Sequence, residues 1–216
     1  MTAREARGAS GASRLVVVAP LLLEAWATRR GLASLSEADS VEVVRGGMGA
    51  GAARRTAERL RRHPGRCLAV AGLAGAVDPA IEPGDVVVAA RLQGPADRSI
   101  ELEPAVLASA VAGLGLRVHT VEVACVDHIV RGTERESLRV RGIGAVDMES
   151  FWLAEACADR PFACLRVIVD GPGHEVVSPS IVVRGARALA TLSRAVAALP
   201  QWAAESTVGA SSHAVA

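Results

Sequence analysis

Three acidic side chains stand where a carboxyl group can do more than solvate a surface. Asp170 closes the apolar run Cys164-Leu-Arg-Val-Ile-Val169 and precedes Gly171-Pro172-Gly173, a turn sequence. A carboxyl at the mouth of an apolar strand is partly desolvated, which favours its protonated form and suits a general acid near neutral pH. The competing reading is a turn cap, a common use of aspartate. Glu149 lies in Asp147-Met148-Glu149-Ser150, which opens a helix after a strand ending at Val146. The helix dipole alone favours acids there. The two oxygens of Glu149 also suit it to accept hydrogen bonds from adjacent sugar hydroxyls. Glu24 is the one acid of Leu21-Leu22-Leu23-Glu24-Ala25-Trp26. On the solvent side of a helix it needs nothing; on a buried side it needs a partner or a purpose.

Two glycine clusters allow close backbone approach to a ligand or a strand. Gly46-Gly47-Met48-Gly49 precedes a helix, where free N–H groups can bind an anion. Gly72-Leu73-Ala74-Gly75-Ala76 follows a strand. Neither has the strand–Gly-x-Gly-x-x-Gly spacing of a dinucleotide site, which disfavours a nicotinamide-dependent oxidoreductase. His128, beside Asp127 at a strand end, is the histidine placed to join a pocket; His63, His119, His174 and His213 lack metal-ligand spacing and read as surface. Cys67, Cys125, Cys157 and Cys164 form no Cys-x-x-Cys pair and read as buried, reduced thiols.

The chain has 216 residues, 50% of them apolar, and a formal charge of +1, enough for one domain with a substantial core. All 24 basic residues are arginine, which excludes Schiff-base lysine chemistry and a P-loop lysine. Near-neutral charge, 2% aromatic content and no tyrosine disfavour nucleic-acid partners. The apolar run from Leu15 to Ala27 carries Pro20 and Glu24 and is too short to span a bilayer. The expectation is a cytoplasmic protein without a membrane span.

The elements that must position these side chains alternate along the whole chain. Strands are expected at Arg14–Val18, Val41–Val44, Cys67–Ala71, Val86–Ala90, Arg117–Ala124 and Phe162–Val169. Helices are expected at Leu21–Leu32, Ala52–Arg62, Pro104–Leu114, from a Thr133/Glu136 capping box to Arg141, over Val146–Ala158 and over Ser180–Leu199. This order implies one α/β domain over residues 14–200, with a loose tail at 1–13 and another at 201–216. In such folds ligands bind beyond the carboxyl ends of strands, which is where Glu24, both glycine clusters, Asp127/His128, Glu149 and Asp170 fall.

In order, Gly72-Leu-Ala-Gly-Ala with Pro83-Gly-Asp-Val-Val-Val, Val146-Asp-Met-Glu-Ser and Pro161-Phe-Ala-Cys-Leu-Arg-Val-Ile-Val-Asp170 resemble the nucleoside phosphorylase and nucleosidase superfamily, which includes methylthioadenosine/S-adenosylhomocysteine nucleosidase. Asp147-Met-Glu-Ser and Leu-Leu-Glu-Ala look most like its hopanoid-associated phosphorylase branch, linked to cleavage of adenine from adenosylhopane. The resemblance implies a three-layer α/β/α fold with a mixed, barrel-like sheet. It implies cleavage of the N-glycosidic bond of an adenosyl compound with an apolar 5′ substituent, by water or phosphate. On it, Asp170 serves N7 of the departing purine, Glu149 and Met148 hold the ribose, Glu24 positions the water, and Ile129 and Val130 line the base pocket. Gly72, Leu73, Arg166 and Arg45 are the expected anion or water site. No metal or organic cofactor is implied; phosphate is the alternative co-substrate, and a homodimer the expected assembly.

Three departures from the family pattern bear on this. Val169 replaces a small polar residue, and Gly171-Pro172-Gly173 a small-residue run, on either side of Asp170. Leu73 stands where many members have serine, which weakens phosphorolysis. Ile129 in place of an aromatic removes base stacking and suits a greasier pocket. A non-catalytic nucleoside-binding protein on the same scaffold is the alternative that the altered 169–173 segment motivates.

Overall fold

The apolar runs pair into one sheet whose middle closes on itself. The computed structural model describes residues 15–33, 35, 40–61, 67–173 and 181–212. In chain order they form β1 (Leu15–Ala19), α1 (Leu22–Leu32), β2 (Val41–Arg45), α2 (Ala50–Leu60), β3 (Cys67–Ala76), β4 (Val86–Gln93), β5 (Ser99–Glu101) and α3 (Ala105–Gly113). Then follow β6 (Val118–Cys125), α4 (Gly132–Val140), β7 (Ile143–Asp147), α5 (Ser150–Ala156), β8 (Phe162–Asp170), α6 (Ile181–Ala195) and α7 (Leu199–Ser212). β3 pairs with β8, β8 with β4, β4 with β6, β6 with β7, and β7 returns to β3. β1 and β2 extend this ring from β3 in parallel, and β5 from β4 antiparallel. The result is the mixed, barrel-like sheet flanked by helices that the resemblance implies.

Strand alternation divides the core between the two sheet faces. In β8, Ala163, Leu165 and Val167 pack with Leu192 of α6 and Leu199 and Trp202 of α7. Cys164 and Ile168 pack with Ala53 and Leu60 of α2 and with Phe151 and Leu153 of α5. Full burial of such a side chain stabilises the fold by about 1.5–3 kcal/mol. Arg166 sits between Cys164 and Ile168 in this alternation and is wholly buried, so it must find its partners inside the protein.

Several elements differ from the sequence reading. β3 continues past Ala71 to Ala76, because its small residues let β8 pair along one edge and β7 meet Gly75 and Ala76 on the other. The polar stretch after β4 holds the edge strand β5, tied by Arg91 to Glu101 at 2.6 Å. Arg131, without a side-chain cap, precedes α4, so Thr133 falls inside the first turn instead of capping it. His119 is half-buried against Asp85 at 2.9 Å rather than at the surface. The expected tail from residue 201 is helix α7 through Ser212, anchored by Trp202 and Ala203, each 2% exposed. The 1–13 tail, His63, His174 and His213 lie outside the described residues. The four cysteines are buried and free, and burial pushes the Cys164 thiol up to about 11.

Candidate active site

The first turn of α1 and the ends of β3, β7 and β8 meet around a cavity of about 320 Å³. Glu24, Asp147, Met148, Glu149 and Asp170 all line it, as do Leu73, His128, Ile129 and Val130. The acids expected from the sequence are thus brought to one place. Two buried arginines, Arg166 and Arg135, pair with these acids.

Arg166, 0% exposed, is the centre of the first cluster. Its Nη2 donates to Asp147 at a short contact, to Ser150 Oγ at 3.0 Å and to Glu149 Oε2 at 3.4 Å. Asp147 also accepts from the Ser150 backbone N–H at 3.3 Å, which ties the end of β7 to the start of α5. Glu24 is 2% exposed and faces inward. It accepts the N–H of Leu21 at 2.7 Å and that of Leu73 at 2.8 Å. A Cβ on Gly72 would lie 2.8 Å from Arg166 Nη1 and 2.9 Å from Glu24 Oε1, so only glycine lets these two groups face each other there. Arg166 Nε and Nη1 have no hydrogen-bond partner among the described residues.

The anion bound by the Gly46–Gly49 turn belongs to the protein itself: Gly49 N–H donates to Glu149 Oε1 at 2.8 Å. Burial pushes the Glu24 and Glu149 carboxyls up from the ordinary glutamate range, with Arg166 opposing it in both. Burial also works against charge on Arg166, but Asp147 first and then Cys164, Glu149 and Glu24 outweigh it and raise its proton affinity. Three acids therefore face one cation.

The second cluster centres on Arg135 and Asp170. Asp170 is 6% exposed and Arg135 4% exposed. Arg135 Nη2 donates to Asp170 Oδ2 at 2.8 Å and to Val130 O at 3.0 Å, and Nη1 donates to Ala76 O at 2.8 Å. An irregularity in the β3–β8 ladder skips Val169 and sets Asp170 opposite Gly75. A Cβ on Gly75 would lie 3.1 Å from Asp170 Oδ1, so that glycine makes room for the carboxylate. The substituted Val169–Gly173 segment thus still turns Asp170 into the pocket. What the sequence reading lacked is its partner: Asp170 is an ion-paired carboxylate rather than a lone desolvated one.

On the pocket rim Ile129 is 53% exposed and Val130 is buried behind it. His128 contacts Asp127 at 2.7 Å and Glu134 at 2.8 Å, and these hydrogen bonds, the first foremost, raise its proton affinity. Arg45, expected at an anion site, ends β2 in an exposed position outside the pocket lining. Arg166 and Gly72 stand behind the wall rather than in it. Arg135 escaped the sequence reading; its one signal is the three-residue spacing to Leu138, which puts both on the buried face of α4. Among the described residues no group of three or more His, Cys, Asp or Glu side chains is arranged to hold a metal ion.

No curated protein gives a sequence match. Futalosine hydrolase of Helicobacter pylori superposes with a TM-score of 0.75 at 17% identity, over 88% of this chain and 98% of that one. The 5′-methylthioadenosine/S-adenosylhomocysteine nucleosidase of Neisseria meningitidis, in complex with methylthio-immucillin-A, gives 0.72 at 18% identity over 86% and 97%. Its Helicobacter pylori counterpart, with butyl-thio-DADMe-Immucillin-A, gives 0.70 at 15% over 88% and 97%. At these identities the likeness is one of fold. The sequence model of the Phosphorylase superfamily matches residues 24–199, most of the chain. This chain is a member of the Phosphorylase superfamily.

Proposed function

We propose that the protein cleaves the N-glycosidic bond of a purine nucleoside by water attack at C1′, releasing adenine from an adenosyl compound with an apolar 5′ substituent. The observation that carries this reading is the excess of acid around Arg166: Glu24, Asp147 and Glu149 against one guanidinium, beside a pocket that also presents Asp170. Breaking C1′–N9 builds positive charge on the sugar and negative charge on the base. Preorganised carboxylates stabilise the first, as in glycoside hydrolysis. Glu149 accepts ribose hydroxyls, with Met148 against the sugar. Water forms the new bond to C1′ and gives its proton to Glu24, whose buried carboxyl binds a proton more readily than an ordinary glutamate. The C1′–N9 electron pair leaves with the base, and N7 receives a proton from Asp170, whose carboxylate takes one up from solvent before each turnover.

The same charge excess argues against phosphate as the attacking group, because an anion would have to enter a site already negative. Leu73 offers no hydroxyl, its N–H is taken by Glu24, and Arg45 lies outside the pocket. The apolar 5′ substituent is supported by the rim, where Leu21 (43% exposed), Met48 (63%) and Ile129 (53%) line the cavity and face solvent, and by Leu22, Leu23 and Trp26 exposed beyond them. The structural neighbours bound to methylthio- and butyl-thio-bearing ligands support the same class. Adenosylhopane is the member of that class favoured by the branch resemblance. The assembly we propose is a homodimer, which would cover part of this apolar rim. Among the described residues no helix is long and apolar enough to cross a membrane.

The test is product analysis on 5′-alkylthioadenosines of increasing chain length, with and without phosphate. We expect adenine and the free 5-substituted ribose in both conditions, with kcat/KM rising with chain length. Release only with phosphate would establish phosphorolysis instead. Nucleoside binding by calorimetry without base release would establish a binding protein.

A further inference from the structure

We propose that Arg135 is a positioning residue for Asp170, holding its carboxyl group in the orientation in which it meets the purine. The inference rests on the assignment of Asp170 to the departing base. A single buried guanidinium joins four parts of the molecule: it leaves α4, donates to the last carbonyl of β3 at Ala76, to Val130 in the base-pocket loop and to Asp170 at the end of β8. Its planar fork fixes donor directions that a neutral or single-point donor cannot. Asp170 Oδ2 accepts from Arg135, and a Cβ on Gly75 would lie 3.1 Å from Oδ1 and 3.4 Å from Oδ2, so the bare Cα leaves room for both oxygens. The carboxylate is thereby set in orientation relative to Val130, which itself lines the pocket. Once Asp170 has given up a proton to the base, Arg135 also supplies the counter-charge that a buried carboxylate requires.

A positioning role differs from a scaffolding role in one way: it operates only through Asp170. The experiment is therefore a cycle of wild type, Arg135→Gln, Asp170→Asn and the double variant, each assayed for adenine release from 5′-methylthioadenosine. In the wild-type background Arg135→Gln lowers kcat by about 100-fold, the effect of a misplacement of about 1 Å, with KM changed by less than about threefold. In the Asp170→Asn background the same substitution changes the slow residual release by less than about threefold, because the group it positions no longer acts. An equal fall in both backgrounds, or no fall in either, overturns the proposal. If circular dichroism shows Arg135→Gln unfolded, Arg135→Lys takes its place in the cycle under the same criteria. A wild-type protein that releases no base overturns both this inference and the function it rests on; undiminished turnover in Arg135→Gln overturns this inference alone.

Discussion

Two buried arginines organise the two ends of the pocket, and they do so with opposite charge balance. Arg166 meets Asp147, Glu149 and, across Gly72, Glu24, so the end proposed for the sugar has three acids to one arginine. Arg135 meets one acid, Asp170, and also donates to the carbonyls of Ala76 and Val130, so the proposed base end joins one guanidinium to one carboxylate. The same residue type in the same low-dielectric setting is thus used for two ends. A cluster with surplus negative charge stabilises a developing cation, whereas a balanced pair orients a group that exchanges a proton. In the proposed reaction, the ratio of acids to arginines, rather than their presence, distinguishes the sugar end from the base end.

The largest effect expected from breaking this arrangement is at the base end. Asp170→Asn keeps the shape and removes the transferable proton, and kcat should fall by about 10³-fold with an unchanged circular dichroism spectrum. Turnover near wild type would remove Asp170 from the mechanism. At the sugar end the largest effect is on stability. Arg166→Met leaves three buried acids without their cation, and denaturant unfolding should show a loss of about 3–5 kcal/mol. A loss much smaller than that would mean the acids are neutral without Arg166, and the charge contrast between the two ends would dissolve.

A smaller effect sharpens the contrast through pH. Burial raises the proton affinity of Glu24, and the carboxylate is the form that accepts a proton from water. The acid limb of kcat/KM should therefore lie above the ordinary glutamate range, activity being lost as pH falls through the raised value. The contribution of Glu24 to stability has the opposite sign: it is fully present below the unfolded-state value and lost as pH rises through the folded one. An acid limb at or below the ordinary range would show that Glu24 is not the base.

Much of this was legible in the sequence because it is local. Apolar runs marked the buried strands, and the rule that ligands sit at strand ends selected Glu24, Glu149 and Asp170. Arg166 entered through the family resemblance alone, and its inward-facing charge emerges from the alternation of β8 between Cys164 and Ile168. What escaped depends on contacts between distant positions. Arg135 reaches Asp170 across 35 residues and Ala76 across 59, and no helical spacing in α4 encodes either partner. The ring closure of β7 onto β3 is invisible for the same reason. The helix beyond Leu199 was hidden because its small and polar residues resemble a tail, while Trp202 and Ala203 are buried against the core.

Adenine release from a 5′-alkylthioadenosine, followed as phosphate is titrated into a phosphate-free buffer, separates water from phosphate as the attacking group. If surplus negative charge at the sugar end selects water, the initial rate is flat across the titration and the sugar product is the free reducing sugar. A rate that rises from zero with phosphate, yielding a sugar 1-phosphate, would contradict it.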